Sequence, residues 1–377
     1  MKHPMASLVF LVLWASCCIP AATALPVSGL YSHEIAVANQ SDQERSRAFR
    51  EAMVAVIIKL TGEQQWVDNP RIQQALDTAQ NFVQAIEYRT ERRLLDGDEA
   101  ELTGTPDPSQ PLRPEPTYVD QELLNVSFSR DLVDQLLADA AIPVWDSNRP
   151  SLLVWMSLQN DAGERRLLSA DSNPAIIDLM QSFARTRGIP IIFPLLDFAD
   201  RRALSPNVLW SLDEQAIIAA SRRYAPDSIL SGRLHFTASG ELVGLWQFIF
   251  QDRIQMFDAL DTDLGSYIQD SLDQVTTQLA RHFAVIPTPG GEGIARLRVE
   301  GIDSLAAYAE LVKHLQELVL VESVTVTSVN GQALELDLSL QGSPGQLVEM
   351  LSLDRNLSLL EPGGVENPQG LRYRWTR

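Results

Sequence analysis

Apolar side chains recur at helical spacing from Ala48 to Leu60, with Ala48, Phe49, Ala52, Met53, Val56, Ile57 and Leu60 on one face. The spacing predicts a long helix capped at Ser41 or Asp42 and stopped at Thr61-Gly62. Leu30, His33, Ile35 and Val37 predict a strand before it, and Pro70 to Ala79 a second helix with proline in its first turn. Phe82 to Arg92 and Tyr118 to Phe128 read as paired strands, after which Ser129 opens a helix carrying Leu132, Val133, Leu136 and Leu137. Leu94 to Pro116, rich in Pro, Gly and Asp, reads as a long hairpin loop without packed structure. Together these segments form an α+β module over residues 25–148.

From residue 149 the pattern alternates between strand and helix, as in an α/β layer arrangement. Leu152 to Leu158, Ile189 to Phe193, Ser228 to Leu234 and Glu241 to Phe250 are the expected strands; Pro174 to Thr186 and Leu212 to Tyr224 are the expected helices. Ala238-Ser239-Gly240 marks an antiparallel turn. A closing helix from Leu264 to Phe283 places Ile268, Leu272, Val275, Leu279 and Phe283 on one face, which ends a middle module at residue 286. Pro287 to Gly293 (PTPGGEG) then reads as a linker. Residues 294–377 spell strand, helix, strand, strand, helix, strand, with Asn330-Gly331 as a two-residue hairpin signal. That βαββαβ order is the one used by ferredoxin-like units.

The amino terminus changes the setting. Lys2 and His3, the apolar run Leu8 to Trp14, and Ala22-Thr23-Ala24 have the three-part layout of an export signal over residues 1–24. Cleavage near Leu25 would place the chain in the periplasm and remove Cys17 and Cys18, its only cysteines, so neither a disulfide nor a thiolate nucleophile is expected. The apolar run is interrupted by Pro4, Ser16 and Pro20, which disfavours a spanning helix. Trp14-Ala15-Ser16 places an indole where a lipobox needs an aliphatic residue, which disfavours a lipid anchor at Cys17 or Cys18. No later segment has the length and apolarity of a membrane span.

Hydrophobic residues make up 45% of the 377, enough for full folding into two or three domains. Without Lys2, 29 basic residues face 49 acidic ones, and a surface of that sign repels nucleic acid and anionic lipid at long range.

Candidate chemistry is sparse. Gly342-Ser343-Pro344-Gly345 is one residue short of a nucleophile elbow and sits in an expected turn. His33-Glu34 lacks the second histidine of a zinc-hydrolase motif, and His235, His282 and His314 are scattered over separate elements. Neither a phosphate loop nor any other cofactor motif is present. Asp258, Asp261 and Asp263, ahead of Gly265, are the candidate ligands for a calcium ion, although they lack EF-hand spacing and Asp263 equally suits a helix cap. Dispersed carboxylates for peptidoglycan or glycan cleavage leave no motif to find, so an envelope enzyme stays open as the alternative. Trp145, Trp155, Trp210 and Trp246 could line a sugar site, with Trp155 and Trp246 expected in the core.

Leu30-Tyr31, Arg47-Ala48-Phe49, Thr61-Gly62, Tyr88, Ile142-Pro143-Val144-Trp145, Asn148-Arg149-Pro150 and Leu153-Val154-Trp155 together resemble an exported proteobacterial domain-of-unknown-function family, number 2066. The resemblance implies a Gram-negative envelope setting and supplies no catalytic residue. Ile192 to Asp197, Ala225 to Arg233 and the strand around Trp246 look like the N-terminal domain of TolB and of related lipoprotein activators of cell-wall synthases, domains that bind envelope proteins. Ala225-Pro226 departs from the glycine-alanine usual there, so the likeness is one of fold. The sequence therefore favours a non-enzymatic periplasmic interaction protein without cofactor or metal, built of three small modules on a partly flexible string, with an envelope protein as partner.

Overall fold

A computed structural model describes residues 27, 29–94, 118–237, 239–251, 253–286, 293–361 and 370–376. The expected export signal, the two cysteines, positions 95–117 of the hairpin loop and linker positions 287–292 lie outside the described residues. Mixed α+β architecture is observed, with three sheets and ten α-helices among the described residues.

The first module holds β1 (Ser32–Val37), α1 (Asp42–Thr61), α2 (Pro70–Leu76), β2 (Val83–Leu94), β3 (Tyr118–Phe128) and α3 (Arg130–Asp139), with sheet order β1-β3-β2, antiparallel throughout. Ser41 caps α1 by accepting from the Glu44 amide. At the other end Gly62 closes the helix in left-handed backbone, φ 71°. The helical stripe from Ala48 to Leu60 packs on Leu124, Val126 and Phe128 of β3, the arrangement that its spacing predicts.

In the middle module β4 (Leu152–Gln159) runs parallel to β7 (Ser228–Phe236), which continues antiparallel into β8 (Leu242–Phe250) and β9 (Arg253–Asp261). Short strands β5 (Arg165–Leu167) and β6 (Ile191–Ile192) flank β4. One face of this sheet carries α4 (Pro174–Arg187) and α8 (Leu264–Phe283), which bury Trp246, Phe248 and Leu230. The opposite face carries α5 (Phe198–Ala203), α6 (Pro206–Trp210) and α7 (Glu214–Ser221), which bury Leu153, Trp155 and Ile229. The single helix expected over Leu212 to Tyr224 is shorter and follows two others. Pro206 and the caps Asp197, Ser205 and Asp213 divide this stretch into separate turns.

The last module contains β10 (Gly293–Glu300), α9 (Leu305–Gln316), β11 (Val321–Asn330), β12 (Ala333–Leu340), α10 (Pro344–Ser352), β13 (Leu357–Glu361) and β14 (Leu371–Trp375). The expected six elements are followed by a seventh, and β14 inserts between β10 and β13, parallel to β10, giving the order β11-β12-β10-β14-β13. This sheet is thus a split βαβ arrangement with an added strand, and departs from the plain ferredoxin-like order.

The modules pack directly on one another instead of lying along a flexible string. Val144 and Val285 exchange backbone hydrogen bonds of 2.8 and 2.9 Å, and the Trp145 amide donates to the Leu60 carbonyl at 2.7 Å. Arg149, buried, donates to five backbone carbonyls: Lys59 in the first module, Arg187 and Gly188 in the second, and Trp145 and Asp146 in its own segment. The last module is tied in by the Val319 amide on Asp146 (2.9 Å), Arg130 on the Glu317 carbonyl (2.8 Å) and the Arg355–Asp227 ion pair (3.0 Å). Ile142 to Ser151 is therefore a shared seam. Its carbonyls find mixed partners: those of Val144, Ser147 and Ser151 accept backbone amides of Val285, Val27 and Ser228, and those of Trp145 and Asp146 accept from the Arg149 side chain.

Candidate functional site

Ladder registers place the outer-face residues of the middle sheet in rows. One row runs Gln159, His235, Val243, Leu260, with Arg165 opposite Gln159; the next runs Ser157, Arg233, Leu245, Asp258. The rows behind them, through Gln247 and Ile249, lie under α5 to α7, where Gln247 donates to the Leu212 carbonyl and accepts from Ser231. Helical cover stops at β8. At the open end of β8 Val243 is 43% exposed, and on β9 Met256 is 50% and Leu260 72% exposed, with Ile254 beside them. On the face that no helix covers, the outermost strand therefore presents Ile254, Met256 and Leu260, interrupted by Asp258.

At the other end of the same rows the surface is cationic. The Trp210 ring has the Arg165 guanidinium 4.5 Å and the Arg233 guanidinium 5.7 Å from its centre. Arg165 donates to Gln159 and Asn207, and Arg233 to the Trp210 carbonyl. Neither has a carboxylate partner among the described residues, although acidic side chains dominate the composition. Their spare N–H groups remain available for a carboxylate from outside, and stacking on the indole holds the planes in place.

The three candidate calcium ligands are not brought together. Asp258 is exposed on the outer face of β9, whereas Asp261 lies on the opposite face three residues later, where its Oδ1 accepts the Thr262 and Asp263 amides. Asp263 caps α8 by accepting from the Ser266 amide at 2.7 Å, and that bond holds its carboxyl below the usual range. Among the described residues no group of three or more His, Cys, Asp or Glu side chains could hold a metal ion. Period-two alternation of a strand, and the capping role of Asp263, explain why proximity in sequence does not become convergence.

The remaining candidates take structural places. Ser343 and Gln346 form a capping box at the start of α10. Of the four candidate tryptophans, Trp145, Trp155 and Trp246 are buried and Trp210 is half-buried. His235 sits 3.3 Å from Gln159, His282 packs on Phe250 and Phe283, and His314 pairs with buried Asp354.

Two grooves flank the seam. One, of about 730 Å³, lies between α3 and the last module and includes Asp134 and Glu317. Burial raises the Asp134 carboxyl, against the Tyr31 hydroxyl donating to it at 2.6 Å and the nearby Arg130. The second, of about 750 Å³, lies between β1 and α4 and includes His33, Lys59 and Arg185. Burial and then Arg149 lower Lys59 to about 8, and its Nζ donates to the Gly29 and Ser32 carbonyls at 3.1 and 2.9 Å.

Comparisons with known proteins place the first module alone. A family described as a domain of unknown function, DUF8605, matches residues 24–146. Its number differs from the family 2066 expected from the sequence, so the match supports the unknown-function character of the module and not that assignment. No curated protein matches the chain. Among solved structures, the C-terminal domain of LpoB from Salmonella enterica is 15% identical, with 30% of this chain and 83% of that one covered and a TM-score of 0.22. A protein described as uncharacterized is 12% identical, with 36% and 92% covered and a TM-score of 0.14. Scores at this level carry no argument about fold or partner, and the TolB-like and ferredoxin-like expectations gain nothing from them. Among the described residues no helix is long and apolar enough to cross a membrane.

The strand that carries this surface, β9, is not legible as a strand in the sequence. The signal was present: Ile254, Met256 and Leu260 share one parity, and Phe257 and Ala259 the other. Both parities are partly apolar, which blurs the alternation that marks a half-buried strand.

Proposed function

We propose that this chain is a non-enzymatic interaction module of the cell envelope, exported to the periplasm, which docks a partner protein on the uncovered half of its middle sheet. The observation that carries the reading is the set of exposed apolar side chains Val243, Ile254, Met256 and Leu260 on one sheet face, with Val243 and Leu260 in the row that leads across the sheet to Arg165, beside Arg233, two guanidinium groups without a carboxylate partner among the described residues. Such a surface suits a protein segment that presents apolar side chains beside a carboxylate. An apolar strip gives affinity through burial, and charge at one end fixes orientation. The export signal read in residues 1–24 supports the envelope setting.

The test is site-specific photo-crosslinking in intact cells from position 243, with position 305, 81% exposed on the last module, as the control. Adducts are expected from 243 and not from 305, and they should vanish when Arg165→Glu and Arg233→Glu are combined. Equal labelling from both positions, or adducts indifferent to the arginine reversals, would remove this reading.

A further inference from the structure

The edge strand β9 is complementary to itself. It ends the sheet, pairs with β8 over nine uninterrupted residue pairs, and contains no proline, lysine or bulge that would blunt its outer edge. Laid antiparallel against an identical strand with Phe257 opposite Phe257, the sequence RIQMFDALD matches at both ends. Arg253 falls opposite Asp261, both on the α8 face, and Ile254 falls opposite Leu260, both on the outer face. Among the described residues neither has a partner of opposite charge within one copy, and Asp261 accepts the adjacent amides of Thr262 and Asp263.

We infer that two copies of this chain associate through β9, antiparallel about Phe257, joining their middle sheets into one continuous sheet. A twofold axis makes the contact isologous, so each favourable pair occurs twice and the assembly closes as a dimer. Backbone hydrogen bonding along the strand supplies affinity, and Arg253–Asp261 fixes the register, because a slip of one residue would move both charges to the wrong face. The two Asp258 carboxylates, each opposite a Met256, lie diagonally across the axis and oppose association. This goes beyond the docking face, since it uses the strand's edge and holds whatever binds the sheet surface.

Sedimentation of the purified protein up to about 1 mM, a range that covers small interfaces, tests the inference. Arg253→Asp alone and Asp261→Arg alone each place two like-charge pairs across the axis and should weaken the dimer about tenfold. An equimolar mixture of the two variants restores both pairs and should dimerise as a heterodimer, whereas Asp258→Asn should tighten the wild-type dimer. In a second measurement, Phe257→Cys should form an intersubunit disulfide, because directly opposed Cα atoms lie about 4.5–5.5 Å apart. Gln255→Cys, opposite Ala259, should form none. A wild-type protein that stays monomeric over this range, reversals without effect, or a mixture no tighter than its components would overturn the inference. Crosslinking from position 243 that persisted in a monomeric protein would leave the docking reading intact while this one failed.

Discussion

The Arg149 guanidinium lies 4.3 Å from the centre of the Trp145 ring, four residues earlier in the same segment, and from that platform it reaches carbonyls of two modules. Burial lowers Arg149 to about 9, with Asp146 opposing the shift, so it keeps its charge at neutral pH. The carbonyls at Lys59, Arg187 and Gly188 close helix ends or their flanks, where backbone acceptors have no intrahelical partner. A planar fork satisfies them at fixed angles. An ammonium on a flexible stem could not serve all five.

Arg149→Lys should therefore lower stability by about 3 kcal/mol or more, since several buried acceptors are left without donors at once. Chemical denaturation measures the loss, and limited proteolysis near residues 62 and 188 should speed up as the seam opens. A change below about 0.5 kcal/mol, the size expected of a surface substitution, would mean that the carbonyls find other donors.

Gly62 tests how closely the modules approach. A Cβ there would come within 2.3 Å of the Ala280 Cβ and 2.8 Å of the Trp145 ring, in backbone at φ +71°. Gly331, in the hairpin turn at φ +63°, has nothing within 4 Å. Gly331→Ala should cost about 1 kcal/mol through backbone strain alone. Gly62→Ala adds overpacking of about 1–3 kcal/mol, so the difference between the two melting shifts isolates the contact.

His314 makes the seam sensitive to pH. Burial alone would lower its pKa, but the hydrogen bond and charge of Asp354, with Glu317 and Asp146 behind them, outweigh burial and raise it above 6.5. A raised folded value means that the stabilisation is fully present below about pH 6.5, the unfolded value, and is lost as pH rises through the folded one. Asn148 also donates to Asp354, at 3.3 Å, so the pair bears on the seam as well as on its own module. Melting temperature should fall from about pH 6.5 upward in the wild type, and His314→Gln should flatten that slope. An unchanged slope in the variant would assign the pH dependence to another group.

The elements that sequence made legible are those with one clean period. The α1 and α8 stripes, the cap Ser41, the stop at Gly62 and the Asn330-Gly331 hairpin all follow from local chemistry, and each stands where its residues direct. What escaped depends on partners distant in the chain. β14 is only five residues long and becomes a strand because β10 and β13 leave a slot for it. The seam escaped for the same reason: Arg149 in sequence is an ordinary arginine before a proline, and its five carbonyls come from segments up to 90 residues away. The exposed strip was hidden because exposure of Met256 and Leu260 depends on where α5 to α7 stop covering the sheet, which no local pattern encodes. Asp258, Asp261 and Asp263 were visible as a cluster, and strand parity separates them.

Leu260 separates docking from folding. At 72% exposed it contributes little burial in the isolated chain, so Leu260→Glu should shift stability by no more than about 0.5 kcal/mol. Phe248, on the opposite face of β8 and 1% exposed, should cost about 3–5 kcal/mol when changed to Ala. If the outer strip binds a partner, a carboxylate at position 260 adds desolvation cost and repels the acidic end that Arg165 and Arg233 select, so crosslinking from position 243 should fall while the melting curve stays in place. Measured together, the two readouts separate a surface used for binding from one that only happens to be apolar: unchanged crosslinking in a fully folded Leu260→Glu protein would show that the strip is not where the partner sits.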